Sequence, residues 1–353
     1  MSHFIPLKVK NIAAQTPQAI CISFEVSPEQ QAQFEFQPGQ HLTIRHQTDE
    51  GEIRRCYSIC SYAPQEDISI AVKKLDQGQF SSWANSVLKV GDVLEVMPPQ
   101  GVFFKKAAQI GGKNYLGVAA GSGITPILSI LKAVLHEQQD AKFTLLYGNR
   151  SWKQTMFSEQ IMDLKDQFKT RFQLINIFSR EMNDSELMNG RIDHDKLKQL
   201  LEHQVLERDF EHCFACGPEE MMQAVESVLP EYGIDASKIH TERFNTGTVK
   251  KRSTEVDANR QLEKVSIVLD GRELLIDVEA EDDSILDAAL RAGADLPYAC
   301  KGGVCATCRC KVLEGEVDMA INYSLEADEL AKGYVLSCQA LPKTSNVRIS
   351  FDD

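Results

Sequence analysis

The sequence predicts a multidomain chain of α/β and β type: an antiparallel β-barrel, a Rossmann-like doubly wound parallel sheet, and a C-terminal β-grasp domain. Three observations carry this expectation. Short strands separated by turn residues fill residues 1–106, strands alternate with helices over 107–246, and a hairpin, a short helix and a cysteine loop fill 263–353. At 353 residues the chain is long enough for two or three domains, each burying its own core.

The barrel strands are read at Ala19–Val26, His41–His46, Arg55–Cys60, Asp67–Lys73 and Val93–Met97, with Pro38-Gly39, Gly51, Gly91-Asp92 and Pro98-Pro99 as breakers between them. After Gly111-Gly112 the pattern changes. The apolar strand Tyr115–Ala120 runs into Gly121-Ser122-Gly123-Ile124-Thr125-Pro126 and the periodic stretch Ile127–Leu135. Strands at Phe143–Tyr147, Phe172–Phe178 and His212–Cys216 and a helix at Met156–Phe168 continue the alternation. Residues 247–262 are polar, lack apolar periodicity and read as a linker. Beyond them, Val265–Leu269 and Glu273–Val278 flank Asp270-Gly271, a tight-turn pair. Ser284 then caps a helix, Ile285–Ala292, that Gly293 ends.

Hydrophobic residues make up 43% of the chain and charged residues 25%, as in ordinary globular proteins. No apolar run reaches membrane-span length and the opening residues lack a signal-peptide pattern, so a cytoplasmic protein off the membrane is expected. The net charge of −13 argues against nucleic acid as a partner, because that binding rests on clustered Lys and Arg. Residues 263–353 hold 18 acidic and 9 basic side chains, a net of −9. Such a surface suits a partner with a basic face, or serves solubility alone.

Ten cysteines in a cytoplasmic chain point away from disulfides, and five of them fall between Cys300 and Cys338. Cys300, Cys305, Cys308 and Cys338 follow the plant-type [2Fe–2S] spacing: three thiolates on one loop and a fourth on a distant strand, Leu336-Ser337-Cys338-Gln339. Gly302 and Gly303 let the loop's amides approach the sulfides. A structural zinc site would repeat a short Cys knuckle twice, and here the fourth cysteine stands alone. Cys310 reads as a buried thiol, and Cys56 and Cys60 as packing thiols.

A flavin site needs a cation for phosphate, an aromatic face for the ring and a hydroxyl near N5, and Arg55, Tyr57 and Ser58 supply these in order on one strand. Gly78-Gln79-Phe80-Ser81-Ser82 offers a loop whose N–H groups can hold a pyrophosphate, with Gly78, Ser81 and Ser82 as candidates. In the middle segment, Gly121, Gly123, Thr125 and Pro126 stand between strand and helix, where a dinucleotide loop belongs. Arg150 follows the next strand with no acidic residue to take a ribose hydroxyl, which favours the 2′-phosphate of NADPH; Arg180 is read as a surface residue. Cys216-Gly217-Pro218 ends a further strand, where nicotinamide would lie; a structural Cys216 is the competing reading.

With these motifs in order, the chain resembles the ferredoxin–NADP⁺ reductase family fused to a plant-type ferredoxin domain. The resemblance implies FAD on Arg55, Tyr57 and Ser58, NADPH on Gly121, Gly123 and Pro126, nicotinamide beside Cys216, Gly217 and Pro218, and an aromatic flavin contact at Phe244. Arg54–Cys60, Tyr298–Cys308 and Asn322–Cys338 further resemble the reductase subunits that serve phenylacetyl-CoA epoxidases. That likeness implies transfer from NADPH through FAD and [2Fe–2S] to a di-iron oxygenase in phenylacetate catabolism. Catalytic roles then fall to Ser58, at flavin N5, and Cys216, at the nicotinamide. Another mono- or dioxygenase as acceptor is the first alternative, and a zinc-bearing nucleotide-sensing protein the second.

Overall fold

A computed structural model of the chain describes residues 4–63, 66–104, 111–244 and 263–352. The expected linker, 247–262, lies outside the described residues, as does the boundary expected near 106. The chain divides into two compact units, one made of Ile5–Ile53 and Tyr57–Phe244, the other holding the C-terminal residues.

The first unit begins with six strands: β1 (Ile5–Thr16), β2 (Ala19–Glu25), β3 (His41–Thr48), β4 (Gly51–Ser58), β5 (Ser69–Lys73) and β6 (Val93–Val96), in the order β4-β3-β6-β1-β2-β5. An antiparallel bridge between Ile59 and Ile70 joins the end of β4 to β5. Alternate residues such as Leu7, Val9, Ile22, Phe24, Ile44, Ile70 and Val96 point inward and fill the barrel. β1 was not expected. Its register shifts between Val9 and Asn11 and between Ala14 and Thr16, so the alternation of Leu7-Lys8-Val9-Lys10 is lost over the rest of the strand. A second difference is a helix, α1 (Gln79–Ser86), where a loop was expected after Gly78; Phe80, Ser81 and Ala84 bury its inner face.

The same unit continues as a parallel sheet: β7 (Asn114–Ala120), β8 (Lys142–Asn149), β9 (Phe172–Phe178), β10 (His212–Cys216) and β11 (Ile239–Glu242), ordered β11-β10-β7-β8-β9. Helices α2 (Ile124–Glu137) and α3 (Ser158–Gln167) cover one face. Helices α4 (His194–Glu202) and α5 (Glu219–Glu231) cover the other. The chain steps outward from β7 in one direction and then returns to its other side, so the strand order reverses between β7 and β10. Polar contacts join barrel and sheet: Ser129 Oγ donates to Ser61 O at 2.7 Å, and Lys132, only 4% exposed, pairs with Glu66 at 2.8 Å.

In the second unit, β12 (Glu263–Leu269) and β13 (Arg272–Val278) form a hairpin, with β14 (Arg309–Glu314), β16 (Tyr334–Leu336) and β18 (Asn346–Ser350) completing the order β13-β12-β18-β14-β16. β15 (Val317–Met319) pairs with β17 (Ala340–Pro342). Asp270 (φ 52°) and Gly271 (φ 68°) both take the left-handed conformation, as a two-residue hairpin turn requires. Ser284 caps α6 (Ile285–Arg291) by accepting from Asp287 N, and Gly293 follows at φ 84°. A five-residue helix, α7 (Ala327–Ala331), precedes β16. Cys338 was expected on a strand and lies instead in the turn between β16 and β17, where the chain must reverse.

Candidate functional site

Ligands of open parallel sheets gather at the carboxyl ends of strands where the order reverses, here the ends of β7 and β10. Gly121-Ser122-Gly123 follows β7 and opens α2, whose N-terminus has no side-chain cap, while Ile124 N donates back to Gly121 O and Ser122 O within the loop. Pro126 lies in that turn, and Thr125 Oγ1 donates to Ser122 O at 3.0 Å, bracing the loop. Tyr147 Oη braces it from β8 by donating to Gly121 O at 3.1 Å.

The two glycines serve different neighbours. Gly123 sits against β10: a Cβ there would lie 2.0 Å from Cys216 O. Gly121 adopts φ +55° and faces Lys73 on β5, whose Nζ would be 3.3 Å from a Cβ. Burial, with Arg150 adding to it, holds Lys73 below the ordinary lysine range. Two cations, Lys73 and the exposed Arg150, therefore flank the loop, and Lys73 is a candidate that the motif reading missed. Arg180 is exposed at the end of β9, and its N–H donates to Arg150 O at 2.8 Å.

Ser58, buried at the end of β4, donates its hydroxyl to Glu242 Oε1 at 2.6 Å. Glu242 ends β11 and pairs in register with Cys216, which is fully buried. Part of Glu242 remains exposed, but its carboxyl group is crowded by protein atoms; this desolvation raises its pKa, against opposing effects of the Ser58 hydrogen bond and of His41. Burial and the nearby Glu242 hold the Cys216 thiol far above its usual range, so it stays protonated. Gly217 and Pro218 continue from Cys216 into α5, and Phe244 packs partly buried two residues beyond Glu242. The structure thus brings Ser58, Cys216 and the glycine loop together. It adds Glu242, whose partner is 184 residues away in sequence and leaves no spacing signal.

On the barrel, Arg55 is exposed and Tyr57 half-buried, its ring 5.5 Å from that of Phe80 on α1. Trp83 and His46 extend this aromatic group, with centroids 4.0 Å apart. Gly78 precedes α1, whose N-terminus carries no side-chain cap. Ser81 is buried and turned inward, accepting from Leu75 N at 3.1 Å; Ser82 is half-buried.

In the second unit, the loop Cys300–Cys308 holds Lys301 (φ 51°) and Ala306 (φ 54°) in the left-handed region, strain that concentrates at ligand clamps, and Gly303 (φ 75°) enters it freely. Gly302 N donates to Cys300 Sγ at 3.3 Å, and Gln339 Nε2 to Cys338 Sγ at 3.8 Å. Cys300 meets Cys305 and Cys308 meets Cys338, and Cys305 also meets the Cys56 thiol. Among the described residues no three His, Cys, Asp or Glu side chains converge on one point. Two pairs suit a group with two metal centres rather than a single ion. The partner thiol first, then burial, raises the pKa of Cys300 and of Cys308, whereas the bond from Cys308 lowers that of Cys338. Loading thiolate ligands must therefore displace protons. Cys310 is buried and donates weakly to Val335 O.

The sequence matches three families in order: "Oxidoreductase FAD-binding domain" over residues 6–104, "Oxidoreductase NAD-binding domain" over 118–227 and "2Fe-2S iron-sulfur cluster binding domain" over 267–343. It is 51% identical to one of the subunits of 1,2-phenylacetyl-CoA epoxidase from Escherichia coli K12, over 100% of this chain and 99% of that one. It is 32% identical to the ferredoxin reductase component of 3-ketosteroid-9-alpha-monooxygenase from Rhodococcus rhodochrous, over 99% and 97%. Phthalate dioxygenase reductase shares the fold with a TM-score of 0.59 at 21% identity, covering 99% of this chain and 98% of its own. Among the described residues, no helix is long and apolar enough to cross a membrane.

Proposed function

The chain belongs to the family of oxygenase reductase components that join FAD-binding, NAD-binding and 2Fe–2S domains, and from that premise we propose that it carries electrons from NADPH to the di-iron subunit of a phenylacetyl-CoA epoxidase. The observation that carries this reading is the full-length identity with the E. coli epoxidase component. The domain limits that go with it are 1–106, 107–246 and 263–353, with 247–262 as linker and the cytoplasm as location.

The residues present fit the three groups. Tyr57 offers a half-buried ring and Ser58 a buried hydroxyl for a flavin, with Arg55 for its phosphate and the uncapped start of α1, from Gly78 to Ser82, for its pyrophosphate. Gly121, Gly123, Thr125, Pro126 and Lys73 would hold the pyrophosphate of NADPH, and Arg150 its 2′-phosphate. Gly217, Pro218 and Phe244 would border the nicotinamide and flavin rings. One pair, Cys300 and Cys305, would hold one iron, and Cys308 with Cys338 the other.

Bound there, the flavin would supply two-electron to one-electron conversion, and the cluster a one-electron outlet. The chain's own contribution is positional. Ser58 would present its hydroxyl at flavin N5, with Glu242 fixing that hydroxyl's orientation. Cys216, protonated and fully buried, would pack against the nicotinamide rather than react with it. The excess of acid over base in 263–353 would steer a basic face of the acceptor toward the cluster.

Reconstitution tests this function. Purified reductase, the di-iron oxygenase subunits, phenylacetyl-CoA and NADPH are expected to give epoxide with coupled NADPH oxidation. Turnover supported by a 3-ketosteroid oxygenase component and not by the di-iron subunits would reassign the acceptor. Equal kcat/KM for NADH and NADPH would remove the assignment of Arg150.

A further inference from the structure

We infer that Arg243 is a positioning residue that sets the nicotinamide side of the site, an inference resting on the proposal that Ser58, Cys216 and Glu242 face the flavin and nicotinamide. β11 is a four-residue edge strand, bonded to β10 on one side only. Its last residues carry Glu242 and lead to Phe244, so the part of the strand that bears the chemistry is the part a ladder holds least well.

Arg243 supplies the missing hold. Side chains alternate along a strand, so Arg243 points away from Glu242 and toward α5. There Nη2 meets both oxygens of Glu226 at 3.0 Å, and Nε donates to Glu219 Oε2 at 3.1 Å. Nη1 donates to Thr241 Oγ1 at 2.9 Å, and that hydroxyl donates to Glu226 Oε1 at 2.8 Å. Glu219 directly follows Pro218. The guanidinium therefore ties together two segments that meet in the site: the turn Cys216-Gly217-Pro218 and the strand end Glu242-Arg243-Phe244.

Stability alone does not account for this arrangement. The side chains of Glu219 and Glu226 are 51% and 40% exposed, and ion pairs to such carboxylates contribute little to folding. What a forked, bidentate guanidinium adds is direction, since it is planar and donates along fixed lines. A lysine can reach one carboxylate but cannot span both, so it should restore only part of the effect. In this arrangement Arg243 fixes how far Glu242 and Phe244 stand from Cys216 without touching substrate or cofactor.

The test uses full-length holoenzyme, normalised to bound flavin, with R243M, R243K, E226Q and E242Q. Two quantities are read: NADPH-to-ferricyanide kcat and KM, and the flavin difference spectrum on titration with NADP⁺. R243M is expected to lower kcat about tenfold with KM changed less than about threefold, and to weaken the NADP⁺-induced spectral change. R243K is expected to fall between R243M and wild type. E226Q, which keeps the contacts to Glu219 and Thr241, should shift both quantities the same way by a smaller factor, and it carries the test if R243M loses flavin. Wild-type kcat and an unaltered difference spectrum in R243M, or in E226Q where R243M is flavin-free, overturn the inference, whatever happens to Tm. E242Q separates the premises. If it slows reduction while R243M does not, Arg243 alone was misassigned; if it leaves the rate unchanged, the site reading fails and this inference with it.

Discussion

Replacing Gly123 by alanine tests the junction between the nucleotide loop and β10. The added Cβ would stand 2.0 Å from Cys216 O, 2.4 Å from Cys216 C and 2.9 Å from Gly217 N. An ordinary carbon–oxygen contact is about 3.3 Å, so the two backbones must part by roughly 1.3 Å. No rotamer relieves this, because every clashing atom is main chain, and β7 and β10 are held in register by their ladder. Overpacking of this kind costs about 1–3 kcal/mol. At about 2–4 °C per kcal/mol for a unit of this size, Tm should fall by about 2–12 °C. A displacement near 1 Å where nicotinamide is proposed to align should cost about a hundredfold in NADPH kcat/KM. Thermal unfolding by circular dichroism gives the first quantity and NADPH-to-ferricyanide kinetics the second. Gly217→Ala is the control for Tm alone, because Gly217 is proposed to border the nicotinamide: its Cβ meets the flexible end of Met221 at 2.6 Å and main-chain atoms no nearer than Ala120 N at 3.3 Å. Wild-type Tm and kcat/KM in G123A, or a larger fall in Tm in G217A, would refute the reasoning.

Cys308→Ser removes one member of a thiol pair in the second unit, so NADPH-dependent cytochrome c reduction should be abolished while ferricyanide reduction by the flavin is largely kept; equal loss of both would contradict transfer through the cluster. Glu242→Gln should give higher Tm than wild type at about pH 8 and an equal Tm at about pH 4, with lower kcat throughout. Burial raises the pKa of this carboxyl from 4.5, so its favourable contribution is intact below that value and is lost as pH rises through the folded value; glutamine escapes the loss. A Tm gap that widens toward acid would reverse the assignment. Arg150→Glu should raise KM for NADPH at least about tenfold and leave that for NADH within about twofold, measured by steady-state reduction. Because burial depresses the Lys73 pKa, KM for NADPH should begin rising with pH below the ordinary lysine range, and K73M should abolish that limb.

Much of the fold is legible where local chemistry dictates it. Asp270-Gly271 specifies a hairpin because both residues must enter the left-handed region, and Ser284 specifies a helix start because its hydroxyl replaces a missing intrahelical acceptor. The parallel sheet is legible because its strands are apolar on both faces. β1 and α1 are not. β1 loses its period at two irregularities, and α1 opens on Gly78 with Ser81 and Ser82, residues that in isolation favour turns. Tertiary burial of Phe80 and Ala84, which no local pattern encodes, makes that segment helical.

The site divides along the same line. Chemistry whose ligands share one loop appears as spacing, so Cys300, Cys305 and Cys308 are visible at once, and Cys338 follows as the distant fourth thiolate of that pattern, although its place in a turn does not. Chemistry assembled from strand ends leaves no spacing to read. Ser58 is legible only as part of a strand motif, and its partner Glu242 sits in a strand too short and too mixed in character to announce itself. Gly123 shows that a motif can be incomplete about cause. As a phosphate-loop glycine it needs to be small for the pyrophosphate, yet the atom that forbids a side chain here is the Cys216 carbonyl on the neighbouring strand. That packing draws the glycine loop and the Cys216 turn together, and Arg243 draws the same turn to Glu242. With nicotinamide placed as proposed above, its geometry depends on three segments clamped in series, and a change at either clamp should reach the hydride donor without touching it.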